Sequence, residues 1–218
     1  MATVNTKLLL DTVKAPRLPA APVEYAQRYG DDLTNILRLY FNRLDNLLGS
    51  VLSTEGGKFL NFPYAAIQRT TDKSFTANTA TQITFDQNDF LNGCANDGTD
   101  GIAVSNAGIY NYQFSVQLKN TDTAIHSAWV WLRINGVDVE GTGSKFDVSS
   151  SHGGTPGYVI AACNFYVELS QDDTVEMWAA VDDVAVTFDA AGAQVSPFAM
   201  PAIPSVVATL SFVSSLPA

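Results

Sequence analysis

The chain has 218 residues, 46% hydrophobic and 16% charged, a mixture too apolar for disorder and too evenly spread for a membrane-spanning protein. Its formal charge of −10 and pI near 4.4 argue against nucleic acid and anionic membrane as partners, because both require clustered Lys and Arg. Two distant cysteines, Cys94 and Cys163, and two histidines, His126 and His152, match no zinc-binding spacing, so neither a metal nor another cofactor is expected.

The charge is uneven. Residues 1–60 hold seven Lys/Arg against six Asp/Glu, whereas residues 61–218 hold five against sixteen, which suggests two regions with different surroundings. The opening MATVNTKLLLDTVKAP has a leucine run interrupted by Asp11 and Lys14, too short for a signal-peptide core. Pro16, Pro19 and Pro22 then oppose any regular element, so residues 1–22 are expected to form an extended arm.

From Pro22 the apolar residues Tyr25, Tyr29, Leu33, Leu37, Tyr40, Leu44 and Leu48 recur at steps of three and four, with charged residues in the gaps. The spacing predicts an amphipathic helix of about 22–48, with Pro22 in its first turn and Gly49 as its C-terminal cap. The stripe is wide, taking in tyrosines and Phe41, and is suited either to its own domain or to a neighbouring molecule.

Beyond Gly56-Gly57 the period falls to two. In GIYNYQFSVQLKN, Tyr110, Tyr112, Phe114, Val116 and Leu118 alternate with polar residues without a break, the pattern of a half-buried antiparallel strand. SAWVWLRING places Val130 and Leu132 on one face and Trp129, Trp131 and Arg133 on the other, both faces reading as covered, and Asn135-Gly136 supplies a hairpin turn. GYVIAACNFYVEL, TVEMWAAVDDVAVTF and SVVATLSFVSS repeat the theme, with a bulge or turn at Asp182-Asp183. Weaker strands at 61–70 and 80–86 bring the expected number to about eight, and no helical period lies between them. The fold class is mainly β, an antiparallel jelly-roll sandwich after an arm and one amphipathic helix, divided into residues 1–55 and 61–218.

Chemical motifs are sparse. No GxSxG or complete GxGxxG occurs, since GTGSKF breaks off at Phe146, and neither histidine has local support for nucleophilic catalysis. Cys163 shares an alternating face with Val159, Ala161, Phe165 and Val167 and reads as core. NDGTDG at 96–101 and the pairs Asp172-Asp173 and Asp182-Asp183 carry hard oxygen ligands suited to Ca²⁺ and carboxylates suited to glycoside hydrolysis, but Asp-Gly pairs also favour turns for conformational reasons alone. Trp129, Trp131 and Trp178 project from one face and are the candidate subunit interface, with sandwich core and a saccharide platform as the other readings.

GIYNYQF, AWVWLRINGVDV, VELSQDDTVEMWAAV and VVATLSFV together resemble the trimeric jelly-roll superfamily of tumour necrosis factor and the globular head of complement's first component. The chain departs from that pattern at Gln171-Asp172-Asp173 and lacks the usual Phe-Ser-Gly-Phe in its last strand, and no receptor residue carries over. LPAAPVEYAQRYGDDLTNILRLYFNRLDN resembles N-terminal segments of tailed-bacteriophage virion proteins, particularly those of cyanophages, in which a Pro-containing arm leads into an aromatic-rich helix. The resemblances imply a non-enzymatic virion structural protein, a head fibre, spike or capsid-decorating protein, assembled in the host cytoplasm. It would form a homotrimer and dock on other virion proteins of capsid, portal or tail through Tyr29, Leu33, Leu37, Tyr40 and Leu44. The alternatives are a tail-fibre head that binds host-surface polysaccharide and a polysaccharide-degrading enzyme.

Overall fold

The computed structural model describes residues 16–18, 23–24, 27–52, 62–96, 101–214 and 216. The expected arm of 1–22 and the Gly56-Gly57 joint lie almost wholly outside these residues. The helix and the β-rich part belong to two separate compact units.

Helix α1 spans Gln27–Leu52. It runs past Gly49, the expected cap, and ends at Leu52. Glycine inside a helix costs about 1 kcal/mol relative to alanine, an amount the surrounding helix-favouring leucines tolerate. Tyr29, Leu33, Ile36, Leu37, Tyr40, Leu44 and Leu47 form one half-exposed stripe, as the 3.6-residue period requires.

The described β-rich residues contain β1 (Tyr64–Arg69), β2 (Thr81–Ile83), β3 (Gln87–Asn92), β4 (Cys94–Ala95), β5 (Ile102–Val104), β6 (Gly108–Asn120), β7 (His126–Ile134), β8 (Val137–Asp138), β9 (Ser144–Val148), β10 (Gly157–Leu169), β11 (Thr174–Val181), β12 (Val186–Phe188) and β13 (Val206–Ser214). The excess over eight consists of β4, β5 and β8, two to three residues long and too short to show a period, together with β3 and β9, which the sequence pattern did not mark. A six-stranded sheet runs β10-β6-β13-β1-β3, with β12 also beside β6. A seven-stranded sheet runs β4-β5-β11-β7-β8, with β2 beside β11 and β9 beside β7. Every strand pair is antiparallel, and the two sheets form the expected jelly-roll sandwich around one core.

Strand β6 organises the core. Tyr110, Tyr112, Phe114, Val116 and Leu118 are all buried, facing the side chains of Val130 and Leu132 on β7 and Met177 and Ala179 on β11 within one apolar cluster. Along its thirteen residues β6 pairs with β10 on one edge and with β13 and then β12 on the other. Asn135 and Gly136 adopt φ of 51° and 79°, the left-handed pair that a two-residue hairpin requires between β7 and β8. Asp182-Asp183 forms the turn that separates β11 from β12.

The alternation makes a direct prediction. Leu118→Ala, which empties a fully buried site, should cost about 2–5 kcal/mol in urea unfolding. Gln113→Ala, five residues earlier on the opposite face, should stay within about 0.5 kcal/mol. Equal costs would contradict the two-faced reading of β6.

Candidate functional site

Two solvent-facing sheet surfaces and the helix stripe are the places where this chain can meet another molecule. On the seven-stranded sheet, register places Trp178 opposite Trp131, Ala180 opposite Trp129 and Glu176 opposite Arg133. The structure therefore brings the three predicted tryptophans together. The Arg133 guanidinium lies 3.8 Å from the Trp178 ring centroid and 5.9 Å from that of Trp131, and Lys145 Nζ lies 5.8 Å from that of Trp129. Guanidinium stacks readily on an indole because it is planar and weakly hydrated.

The polar ends of this patch are also engaged. Trp131 Nε1 donates to Asp138 at 2.7 Å, and Trp178 Nε1 donates to Glu176 at 2.7 Å. Glu176 accepts a second bond from the Gly136 amide at 2.8 Å and so ties β11 to the β7–β8 hairpin. Hydrogen bonds from Arg133 and Trp131 hold the Asp138 carboxyl below its usual range. Trp131 and Trp178 are half-buried and Trp129 is 36% exposed, with the Arg133 guanidinium stacked on one face of Trp178.

The outward face of the six-stranded sheet is different. Tyr158, Ile160 and Tyr166 on β10 and Phe90 on β3 stand exposed, Ile160 at 64% and Tyr166 at 68%. Between them Gln113, Ser115, Ala162, Asn164, Val207 and Thr209 line an open depression of about 470 Å³ with no charged side chain. The dip follows from register: the short Ser115 and Ala162 stand opposite each other, with Val207 beside Ser115. A second depression, of about 440 Å³, lies over Gln117, Tyr158 and Ile160, and its wall includes Ala191 and Ile203.

Those last two residues belong to a projecting arm that sequence reasoning missed. Gln117 on β6 accepts a hydrogen bond from the Asp189 amide and donates one to the Ser205 carbonyl, each at 2.9 Å, so the chain leaves and rejoins the sheet at one residue. Reciprocal backbone bonds join Ala191 with Ile203 and Gln194 with Met200, and the tip between them exposes Val195 and Phe198. A signal was available: the sequence carries no charged residue after Asp189.

The acidic groups proposed for metal or hydrolysis are dispersed. Asp172 sits in a turn at φ 67°, and Asp173 accepts bonds from the Ser170 amide and from Asn135 Nδ2. NDGTDG lies mostly outside the described residues. Among the described residues no three His, Cys, Asp or Glu side chains form a metal-holding group. Cys163 packs against the core as expected, and burial pushes the Cys94 thiol up to about 12.

His126 has more structure around it than the sequence suggested. Its Nε2 lies 2.9 Å from Asp122 and its Nδ1 3.4 Å from Asp182, with Asp183 also near enough to act on it. The hydrogen bond to Asp122, aided by the Asp182 and Asp183 charges, raises the His126 pKa. The same contact and the Thr123 amide lower that of Asp122. His126 thereby links the β6–β7 turn to the end of β11.

No known family model matches this sequence, and no curated protein matches it. Among solved structures, the globular domain of zebrafish complement 1qA protein is similar, at 10% identity over 71% of this chain and 99% of that chain, with a TM-score of 0.42.

The His126 geometry sets a pH dependence. A raised folded pKa gives stabilisation that is complete below the ordinary histidine range of about 6.5 and lost as pH rises through the folded value. The melting temperature should therefore fall from pH 5.5 to pH 8.5 by more in the native chain than in His126→Gln. An identical fall in both would show that the contact contributes nothing.

Proposed function

We propose that the chain is a non-enzymatic structural component of a tailed-phage virion, attached by its N-terminal region and presenting a self-associating, trimeric β head. The observation that carries this reading is the helix. Every buried hydrophobic side chain among the described residues belongs to the β-rich part, whereas Tyr29, Leu33, Leu37, Tyr40 and Leu44 are only half covered. Exposing such side chains costs roughly 1.5–3 kcal/mol each, so a neighbouring molecule that covers them gains substantial binding energy.

The virion assignment is supported by the resemblance of residues 18–46 to phage N-terminal segments, and the trimer by the resemblance of the β strands to trimeric jelly rolls. A non-enzymatic role accords with the depressions on the six-stranded sheet. The larger has no carboxylate, and the only one lining the other, Asp189, is held by Lys119 at 2.8 Å. The tryptophans stay a candidate contact, but more exposed aromatic side chains, Phe90, Tyr158 and Tyr166, stand on the six-stranded sheet. Polysaccharide binding by a receptor head is the second reading, favoured by the exposed tyrosines Tyr158 and Tyr166.

Light scattering on the intact chain should give about three times 23.4 kDa. Leu37→Asp should leave the mass and the melting temperature of the β head unchanged while sharply reducing incorporation into particles assembled in an expressing host. Normal incorporation of that variant would refute the helix as the anchor.

A further inference from the structure

We infer that the arm of residues 190–204 is the grip by which copies of this chain hold one another, its Val195–Phe198 tip seating in the depression over Ser115 and Ala162 of the next copy. The inference rests on the self-association proposed above and names the surfaces that perform it.

Three observations converge. First, the arm is a built element. Both of its ends are fixed to Gln117, two reciprocal backbone pairs hold its strands together, and the Ala190 amide donates to Asp72 at 2.7 Å. Yet its tip packs on little within the chain, with Val195 89% and Phe198 61% exposed. An ordered arm that ends in bare apolar side chains is shaped for an external contact.

Second, electrostatics select the partner. A chain of charge −10 repels its own copies unless they meet through uncharged surface. The arm carries no charged residue from Ala190 to Pro204, and none lines the larger depression. A basic partner would instead be drawn to the acidic turns, and a saccharide gains little from a valine and phenylalanine tip.

Third, knob and hole lie on one face. The arm base walls the smaller depression together with Tyr158 and Ile160, and the larger depression opens two residues further along β6 and β10. A projection and a separate receptor site on the same molecule make a heterologous contact, which closes into a ring when the rotation between copies permits. The exposed Tyr158, Ile160 and Tyr166 border the receptor site and enlarge the contact.

The test uses the full chain. Val195→Asp combined with Phe198→Asp places charge on an exposed tip, and Ala162→Arg fills the depression. Each should weaken self-association at least tenfold in sedimentation equilibrium while keeping a cooperative melt. In parallel, with Cys163 replaced by serine, Val195→Cys with Thr209→Cys should give oxidised species of more than one chain in greater yield than either cysteine alone; this pair alters little packing and serves if a charged variant fails to fold. Native-like association of the charged variants, or cross-linking of the cysteine pair no greater than that of either cysteine alone, would overturn the arm assignment while leaving self-association standing. A monomeric wild-type chain would instead remove the self-association reading, and the arm's occupant with it.

Discussion

The inward row of β6 is the constraint on which the rest of the sandwich depends. Tyr110, Tyr112, Phe114, Val116 and Leu118 are buried without interruption, and the same strand supplies hydrogen bonds to β10 on one side and to β13 and β12 on the other. A one-residue slip would turn five large apolar side chains to solvent and the polar set into the core, so the register of the whole six-stranded sheet is fixed by this alternation. The position of the projecting arm follows as well, since Gln117 marks where β12 gives way to β13.

The two outer faces resolve their exposed aromatic residues in different ways. On the seven-stranded sheet the tryptophans have cations over their rings and carboxylates on two of their indole nitrogens, so much of the patch is engaged within the chain. On the six-stranded sheet, tyrosine, isoleucine and phenylalanine side chains surround small uncharged residues and stay exposed within the described β-rich part. Aromatic content alone would rank the tryptophan face first. Exposure and local charge reverse that order.

Legibility in the sequence tracked the length and regularity of each element. The thirteen-residue β6 and the Asn135-Gly136 turn were readable because period and turn chemistry each act locally. The helix was readable in its face but not its end, because a glycine cap and a tolerated glycine look alike without the backbone angle. A short strand such as β5 owes its existence to β11, a neighbour far away in sequence. The His126 cluster draws on Asp122 and Asp182, brought together only by strand pairing, and the arm depends on two breaks in hydrogen bonding opposite a single residue of β6. The uncharged run after Asp189 was visible throughout, but it became informative only once the fold placed it outside the core.

If copies associate as proposed, the outer face of the six-stranded sheet is turned inward and the tryptophan face outward. Inter-copy distances from single spin labels measure this directly, with the partly exposed Cys163 replaced by serine. A label at Glu168, on the outer side of β10, should report shorter distances between copies than a label at Asp147, beside the tryptophans on β9. The reverse order would place the tryptophan face at the subunit contact and contradict the proposed association.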